Sequence, residues 1–333
     1  MASNLKYAVF GGGSWATAIV KMLCENLDEV GWYMRSETAK EHILREQHNP
    51  NYLSSVEFNL DQLKLSNDIN EIVGYADVLV FVIPSAFIHA ELEKINIDFS
   101  KKIIVSAVKG IMPESGLGIG EHFHDIYKIP FKNICVIGGP CHAEEVAMER
   151  LSYLTIACAD SDIATEVASK LACEYIKTNI SDDIIGIEYA AMLKNIYAIA
   201  AGIAHGLGYG DNFQSILMSN AIREMKRFTK RMHKIKRNIN NSAYLGDLLV
   251  TGYSVFSRNR MFGNMIGKGY TVKSAQMEMS MVAEGYYATK SAYLLDQKNE
   301  KKSHTPIIDT VYAILYEGKS AKKEFKKLTE LLD

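Results

Sequence analysis

A lysine in the middle of an apolar run is the first place to look for chemistry. Lys194 and Asn195 interrupt the stretch Ile184–Ala204, which otherwise carries only Glu188 as a charge. Read as a helix, that stretch is apolar nearly all round and therefore buried. Burial disfavours the ammonium and draws a lysine toward the range of a general acid or base. A lysine whose stem packs while its head reaches solvent is the plain alternative. A second constellation is Asp247, Thr251, Ser254 and Arg258, in Gly246-Asp247-Leu248-Leu249-Val250-Thr251-Gly252-Tyr253-Ser254 and Ser257-Arg258-Asn259-Arg260. If residues 243–258 are helical, these four side chains share one face. The aspartate can orient a lysine, and the arginine offers a planar fork for a phosphate or carboxylate. The same spacing also suits a solvated face with its own ion network, and alone it does not decide.

A third constellation is Gly11-Gly12-Gly13-Ser14-Trp15-Ala16, which fits G-x-G-x-x-G/A directly after a strand and at the start of a helix. Gly11 permits the tight turn, Gly13 admits a pyrophosphate close to the backbone, and Ala16 lets the helix lie near the strand. The helix N-terminus then favours the phosphate charge. Glycine clusters also make ordinary turns, so the context carries this reading. An acid ending the second strand would bind the ribose hydroxyls of NAD. Here the strand ends in Met34-Arg35-Ser36, and Arg35 and Ser36 suit a 2′-phosphate, favouring NADP. Glu37 two positions on, or Arg35 stacking on adenine, would fit NAD instead.

These residues need a scaffold. Apolar runs at Tyr7–Phe10, Val30–Met34, Val78–Ile83, Ile103–Ala107 and Ile134–Ile137 alternate with helical segments, the first from Trp15 to about Asn26. That pattern gives a doubly wound parallel sheet of Rossmann type, finished by strands at Thr155–Cys158 and Tyr175–Lys177. Beyond Asp182-Asp183 the chain reads as helices at 184–204, 213–232, 243–256, 274–297, 306–317 and 321–332. The expected organisation is an α/β dinucleotide-binding domain over 1–180 and an all-helical substrate domain over 181–333. No Pro/Gly/Ser-rich linker separates them, so close packing around a cleft is expected.

Composition agrees. The 333 residues are 48% hydrophobic and 23% charged, which excludes disordered and fibrous classes and leaves room for two cores. The net charge of -2 argues against a nucleic-acid partner. Five scattered cysteines without CxxC spacing fit neither a disulfide framework nor a metal site, and suit a reducing cytoplasm. The N-terminus lacks a secretory pattern, and the charged residues in Ile184–Ala204 argue against a membrane span.

From end to end the chain resembles the bacterial NAD(P)-dependent glycerol-3-phosphate dehydrogenases. The resemblance rests on Gly11–Ala18, Asn49-Pro50-Asn51-Tyr52-Leu53, Val82-Ile83-Pro84-Ser85, Lys109-Gly110-Ile111 and Gly138-Gly139-Pro140 with Ala143–Ala147. It continues through Leu193-Lys194-Asn195, Gly206–Asn212, Leu245–Leu248, Ser257-Arg258-Asn259, Glu284-Gly285 with Thr289, and Leu315–Gly318. It implies reduction of dihydroxyacetone phosphate to sn-glycerol 3-phosphate, a phospholipid precursor, without a metal. It implies Lys194 as proton donor, Lys109 beside it at the substrate, and Asp247 orienting Lys194. Gly139, Asn195, Thr251, Ser257, Arg258 and Asn259 would complete the substrate site, with Arg258 and Asn259 on the phosphate. The coenzyme would be held by Gly11, Gly13, Ser14, Trp15, Arg35, Ser36, Pro84, Lys109, Ala143, Arg258 and Glu284.

A small-molecule phosphate substrate, a homodimer and no stable membrane anchor are expected. Departures from the family are Cys141-His142 where Ser-Phe is usual, His205 in place of an acid, and the stretch Lys234–Ser242, which with Lys226, Arg227, Lys230 and Arg231 upstream forms a basic cluster. Adjacent side chains on an extended segment point apart, so Cys141 and His142 do not read as a catalytic pair.

Overall fold

Runs of Val, Ile and aromatic residues become strands because their side chains fill a pleated surface that is buried on both faces. A computed structural model describes residues 5–112, 116–254, 256–279, 283–298 and 303–333. The strands are β1 (Tyr7–Phe10), β2 (Val30–Tyr33), β3 (Leu63–Ser66), β4 (Val78–Phe81), β5 (Ile103–Ser106), β6 (Ile134–Gly138), β7 (Ser152–Cys158) and β8 (Ile176–Ser181). They form one sheet in the order β3-β2-β1-β4-β5-β6-β7-β8. Strand order reverses between β1 and β4, and the turns after these strands lie where doubly wound sheets bind their ligands.

Two features differ from the expected sheet. β7 runs antiparallel to β6, while the other neighbours are parallel. The connection after β6 carries only the short helix Ala143–Ala147, and the chain returns from the same end of the sheet. β3 also went unforeseen, because Leu-Lys-Leu-Ser has no apolar run and only Ser66 is buried. The helices of this unit are Ser14–Cys24, Glu37–Glu46, Ile69–Tyr75, Ser85–Leu92, Ile119–Tyr127, Ala143–Ala147 and Ser161–Leu171. Ser36, Asp68 and Asp160 cap three of them through their side-chain oxygens.

The chain divides into one unit of Met1–Val108 with Leu117–Ile184 and a second of Lys109–Gly116 with Ile185–Asp333. The boundary thus falls after β8, slightly beyond residue 180. The short excursion puts Lys109 with the helical unit, not the sheet unit.

The second unit is built on the Ile184–Gly206 helix. Among the described residues it is the one helix long and apolar enough to cross a membrane, but 94% of its apolar window is buried within the protein. Around it are Asp211–Met232, Asp247–Tyr253, Arg258–Gly267, Val272–Glu278, Glu284–Gln297, Pro306–Tyr316 and Ala321–Thr329, with a wide π turn at Ser242–Gly246. Buried Glu224 accepts from the amides of Ile307 (2.9 Å) and Ile308 (3.1 Å), satisfying the N-terminus of the Pro306–Tyr316 helix.

The single helix entertained over 243–258 does not form. Helix ends at Tyr253, Ser254 is extended (φ -62, ψ 136), and Ser257 caps a new helix beginning at Arg258. Asp247 and Thr251 keep a common face; Ser254 and Arg258 leave it. The span 274–297 is likewise two helices, with extended backbone at Met279 and Ala283. Residues 255 and 280–282, which these expected helices crossed, lie outside the described residues.

Two helices touch backbone to backbone. A Cβ on Gly202 or Gly206 would collide with the carbonyls of Arg260 or Asn264, and one on Gly263 or Gly267 with those of Ile199 or Ile203. Paired Gly-x-x-x-Gly spacings therefore press the Lys194 helix against the Arg258 helix and leave little freedom to slide.

Candidate active site

In the sheet unit, the glycine turn is fixed by its carbonyls. Gly11 has φ +137, and a Cβ there would lie 2.8 Å from the carbonyl oxygen of Val82. Trp32 Nε1 donates to the Gly11 carbonyl (2.8 Å), and Asn49 Nδ2 to that of Gly12 (3.1 Å). The Thr17 amide and hydroxyl both donate to the Gly13 carbonyl at 3.0 Å. With three successive carbonyls held by the protein, the turn and the positive end of the Ser14–Cys24 helix present amides to an anion. A Cβ on Gly13 would meet no protein atom within 4 Å, so nothing in the fold demands glycine there. A bare backbone there leaves room for a dinucleotide diphosphate to approach closely, and the residues present fit that group. Asn49, Trp32 and Thr17 were not foreseen in this role; Asn49 stood inside a quoted motif, but nothing in sequence tied it to the turn.

The remaining coenzyme candidates of this unit lie at strand ends. Pro84 caps the Ser85–Leu92 helix after β4, and Ala143 opens the short helix after β6. Gly139 follows β6 with φ +114. Ser36 uses its hydroxyl to cap Glu37–Glu46, accepting from the Ala39 amide at 3.2 Å. Arg35 extends from the end of β2, its side chain 73% exposed and its Nη1 3.6 Å from buried Glu91.

The helical unit holds the buried charged cluster. Lys194 donates to the carboxylate of Asp247, and both are buried. Lys109 joins them, with its pKa pushed down to about 8. Burial contributes most and the Lys194 charge adds to it; Asp247 and Glu284 oppose, and Arg258 again lowers. Three cations thus face two carboxylates within one environment. Thr251 donates its hydroxyl to the Asp247 carbonyl (2.7 Å), so it braces the backbone of that residue and not its carboxylate.

Asn195 is buried, and its Nδ2 finds no protein partner, the condition of a donor kept for a ligand. Ser257 caps the Arg258–Gly267 helix, accepting from the Arg260 amide. Asn259 Oδ1 accepts from the Gly285 amide at 2.9 Å. Gly285 in turn packs so closely that a Cβ would lie 2.6 Å from the Asn195 carbonyl oxygen. That contact seats Glu284, the first residue of its helix, beside the Lys194 helix.

Lys109, Lys194, Asn195, Asp247, Arg258, Asn259 and Glu284 all belong to this unit. The family model for the NAD-dependent glycerol-3-phosphate dehydrogenase N-terminus matches residues 6–164, and that for its C-terminus matches 183–326. The chain belongs to this family. It is 35% identical to the glycerol-3-phosphate dehydrogenase [NAD(P)+] of Bacillus subtilis over 327 residues, covering 97% of this chain and 93% of that one. With the enzyme of the same name from Latilactobacillus sakei it shares 36% over 335 residues, covering 98% and 97%. Its fold matches the crystal structure of glycerol-3-phosphate dehydrogenase from Coxiella burnetii with a TM-score of 0.89 at 27% identity, covering 98% of this chain and 99% of that one. The glycine turn lies within the span of the family's N-terminal model, and the Lys194–Asp247 pair and Arg258 within that of its C-terminal model. Among the described residues no cluster of three His, Cys, Asp or Glu side chains is placed to hold a metal ion.

Proposed function

We infer that the charged cluster of the helical unit is where this dehydrogenase reduces dihydroxyacetone phosphate to sn-glycerol 3-phosphate with NAD(P)H. The observation that carries the reading is the buried Lys194–Asp247 pair with Lys109 beside it. A bound dihydronicotinamide supplies a hydride to the ketone carbon. Lys194 gives its proton to the carbonyl oxygen, and Asp247 holds the ammonium in line before transfer. Lys109 stabilises negative charge growing on that oxygen. Its lowered proton affinity comes from the same burial that strengthens the stabilisation. Arg258 and Asn259 take the phosphate, Arg258 by paired charged hydrogen bonds, and the Asn195 amide donates to a substrate oxygen. Ser257 and Thr251 hold the backbone of these groups, and Gly139 is the substrate residue of the sheet unit.

In this reading the sheet unit takes the dinucleotide, with Gly11, Gly13, Ser14 and Trp15 at the diphosphate and Arg35 and Ser36 at the adenosine ribose. Pro84 and Ala143 are further coenzyme residues of this unit, and Lys109, Arg258 and Glu284 are the coenzyme residues of the helical unit. NADP is favoured over NAD by the absence of an acid at the end of β2. The protein works in the cytoplasm as a homodimer and feeds phospholipid synthesis. The test follows oxidation of NADPH and NADH with dihydroxyacetone phosphate and with unphosphorylated dihydroxyacetone. Turnover with the phosphate ester alone is expected; equal turnover of both removes Arg258 from the substrate site, and no turnover sinks the reading.

A further inference from the structure

Glu91 has no place in the reaction, yet it is a buried carboxylate at the edge of the coenzyme site. It lies on the Ser85–Leu92 helix after β4, with a side chain only 5% exposed. Tyr33, the last residue of β2, donates its hydroxyl to Oε2 at 2.8 Å. Lys94 donates to both oxygens at 2.9 Å. Arg35 reaches the same carboxylate at 3.6 Å, a distance of charge attraction without a hydrogen bond. Burial alone would push the Glu91 carboxyl up, but the hydrogen bonds from Lys94 and Tyr33 outweigh it and hold it below its usual range. Glu91 is therefore ionised and already neutralised by Lys94. Arg35 rests against it loosely, with most of its guanidinium turned to solvent.

We propose that Glu91 is the positioning residue for coenzyme choice: it gives the Arg35 guanidinium a resting place that competes with the 2′-phosphate of NADPH. When the ribose carries a hydroxyl, Arg35 stays on the carboxylate and no unpaired cation faces the sugar. When it carries a phosphate, the weak contact to Glu91 is exchanged for charged hydrogen bonds to the dianion. Glu91 itself does not bind the ribose, because its oxygens are occupied by Tyr33 and Lys94. This device lets one site accept both coenzymes, and it rests on the assignment of Arg35 to the adenosine ribose.

The test measures binding of adenosine 2′,5′-bisphosphate and of 5′-AMP to the whole unliganded protein by calorimetry, so that turnover is not needed. In Glu91→Gln the amide oxygen still accepts from Tyr33 or Lys94, but the charge is gone. Preference for the bisphosphate over AMP should then rise roughly twofold to fivefold, because Arg35 no longer gives up an exposed ion pair when it turns to the phosphate. The same substitution in an Arg35→Ala background should leave the preference unchanged, whereas a merely structural role for Glu91 would persist there. An unchanged or lower preference in Glu91→Gln overturns the proposal, as does a rise that survives in the Arg35→Ala background. If the wild type does not prefer the bisphosphate to AMP at all, the assignment of Arg35 to the ribose falls, and this proposal with it.

Discussion

Asp247→Asn separates two accounts of the Lys194–Asp247 pair, because it keeps the shape and removes the charge. The two side chains are 6% and 4% exposed, so the ammonium left behind has little access to water. Breaking a buried pair on one side costs about 3–5 kcal/mol.

That range, about 3–5 kcal/mol, is the loss expected for the variant at pH 7. Urea unfolding followed by far-ultraviolet circular dichroism, on both proteins under the same conditions, reads this directly. A loss below about 1 kcal/mol would refute the view that Asp247 compensates a buried ammonium. Turnover should fall in parallel.

Lys109 loses its proton near pH 8, so affinity for a phosphate-bearing substrate analogue should decline as pH rises through that value; a flat titration to pH 9 removes Lys109 from the binding step. Glu224 has its pKa raised to about 8, chiefly by burial and against the Ile307 and Ile308 amides. Its contribution is complete below the unfolded pKa of 4.5 and is lost as pH rises through about 8. Glu224→Gln, measured by thermal unfolding, should flatten the decline between those values. Gly263→Ala must drive a Cβ into the Ile199 carbonyl and should cost about 3 kcal/mol or more in the same assay. Asn49→Ala frees the Gly12 carbonyl and should weaken coenzyme binding about tenfold while leaving substrate-analogue affinity unchanged.

Much of this was legible in the chain. The strand runs from Tyr7 to Ile137 are apolar because both sheet faces are covered, and that covering writes itself into composition. Lys194 stood out because a charge inside an apolar helix is conspicuous. β3 was not legible, since Leu63 and Leu65 are only half-buried at the sheet edge. The break after Tyr253 was also hidden, because the spacing of Asp247, Thr251, Ser254 and Arg258 satisfies a helix whether or not one forms. Local pattern records which face is apolar, but not where a backbone turns to cap a new helix with Ser257. The reach of Asn49 to the Gly12 carbonyl joins residues 37 positions apart, and no periodicity encodes such a bond.

The glycine crossing explains how a reaction that depends on ångström-scale placement tolerates a buried charge cluster. Lys194 and Arg258 lie on different helices. Their relative position is set about two turns beyond Lys194, where Gly202 and Gly206 meet Gly263 and Gly267. Backbone contact leaves no side chains there to repack, so a shift of either helix needs the whole interface to open. Asn259 extends the same rigidity to the Glu284 helix through the Gly285 amide. Asp247 and Glu284 offset the cost of gathering the cations, and the crossing keeps the Lys194 and Arg258 helices from spreading apart. On the assignment proposed above, this preorganisation keeps Lys194 at the carbonyl and Arg258 at the phosphate in fixed register.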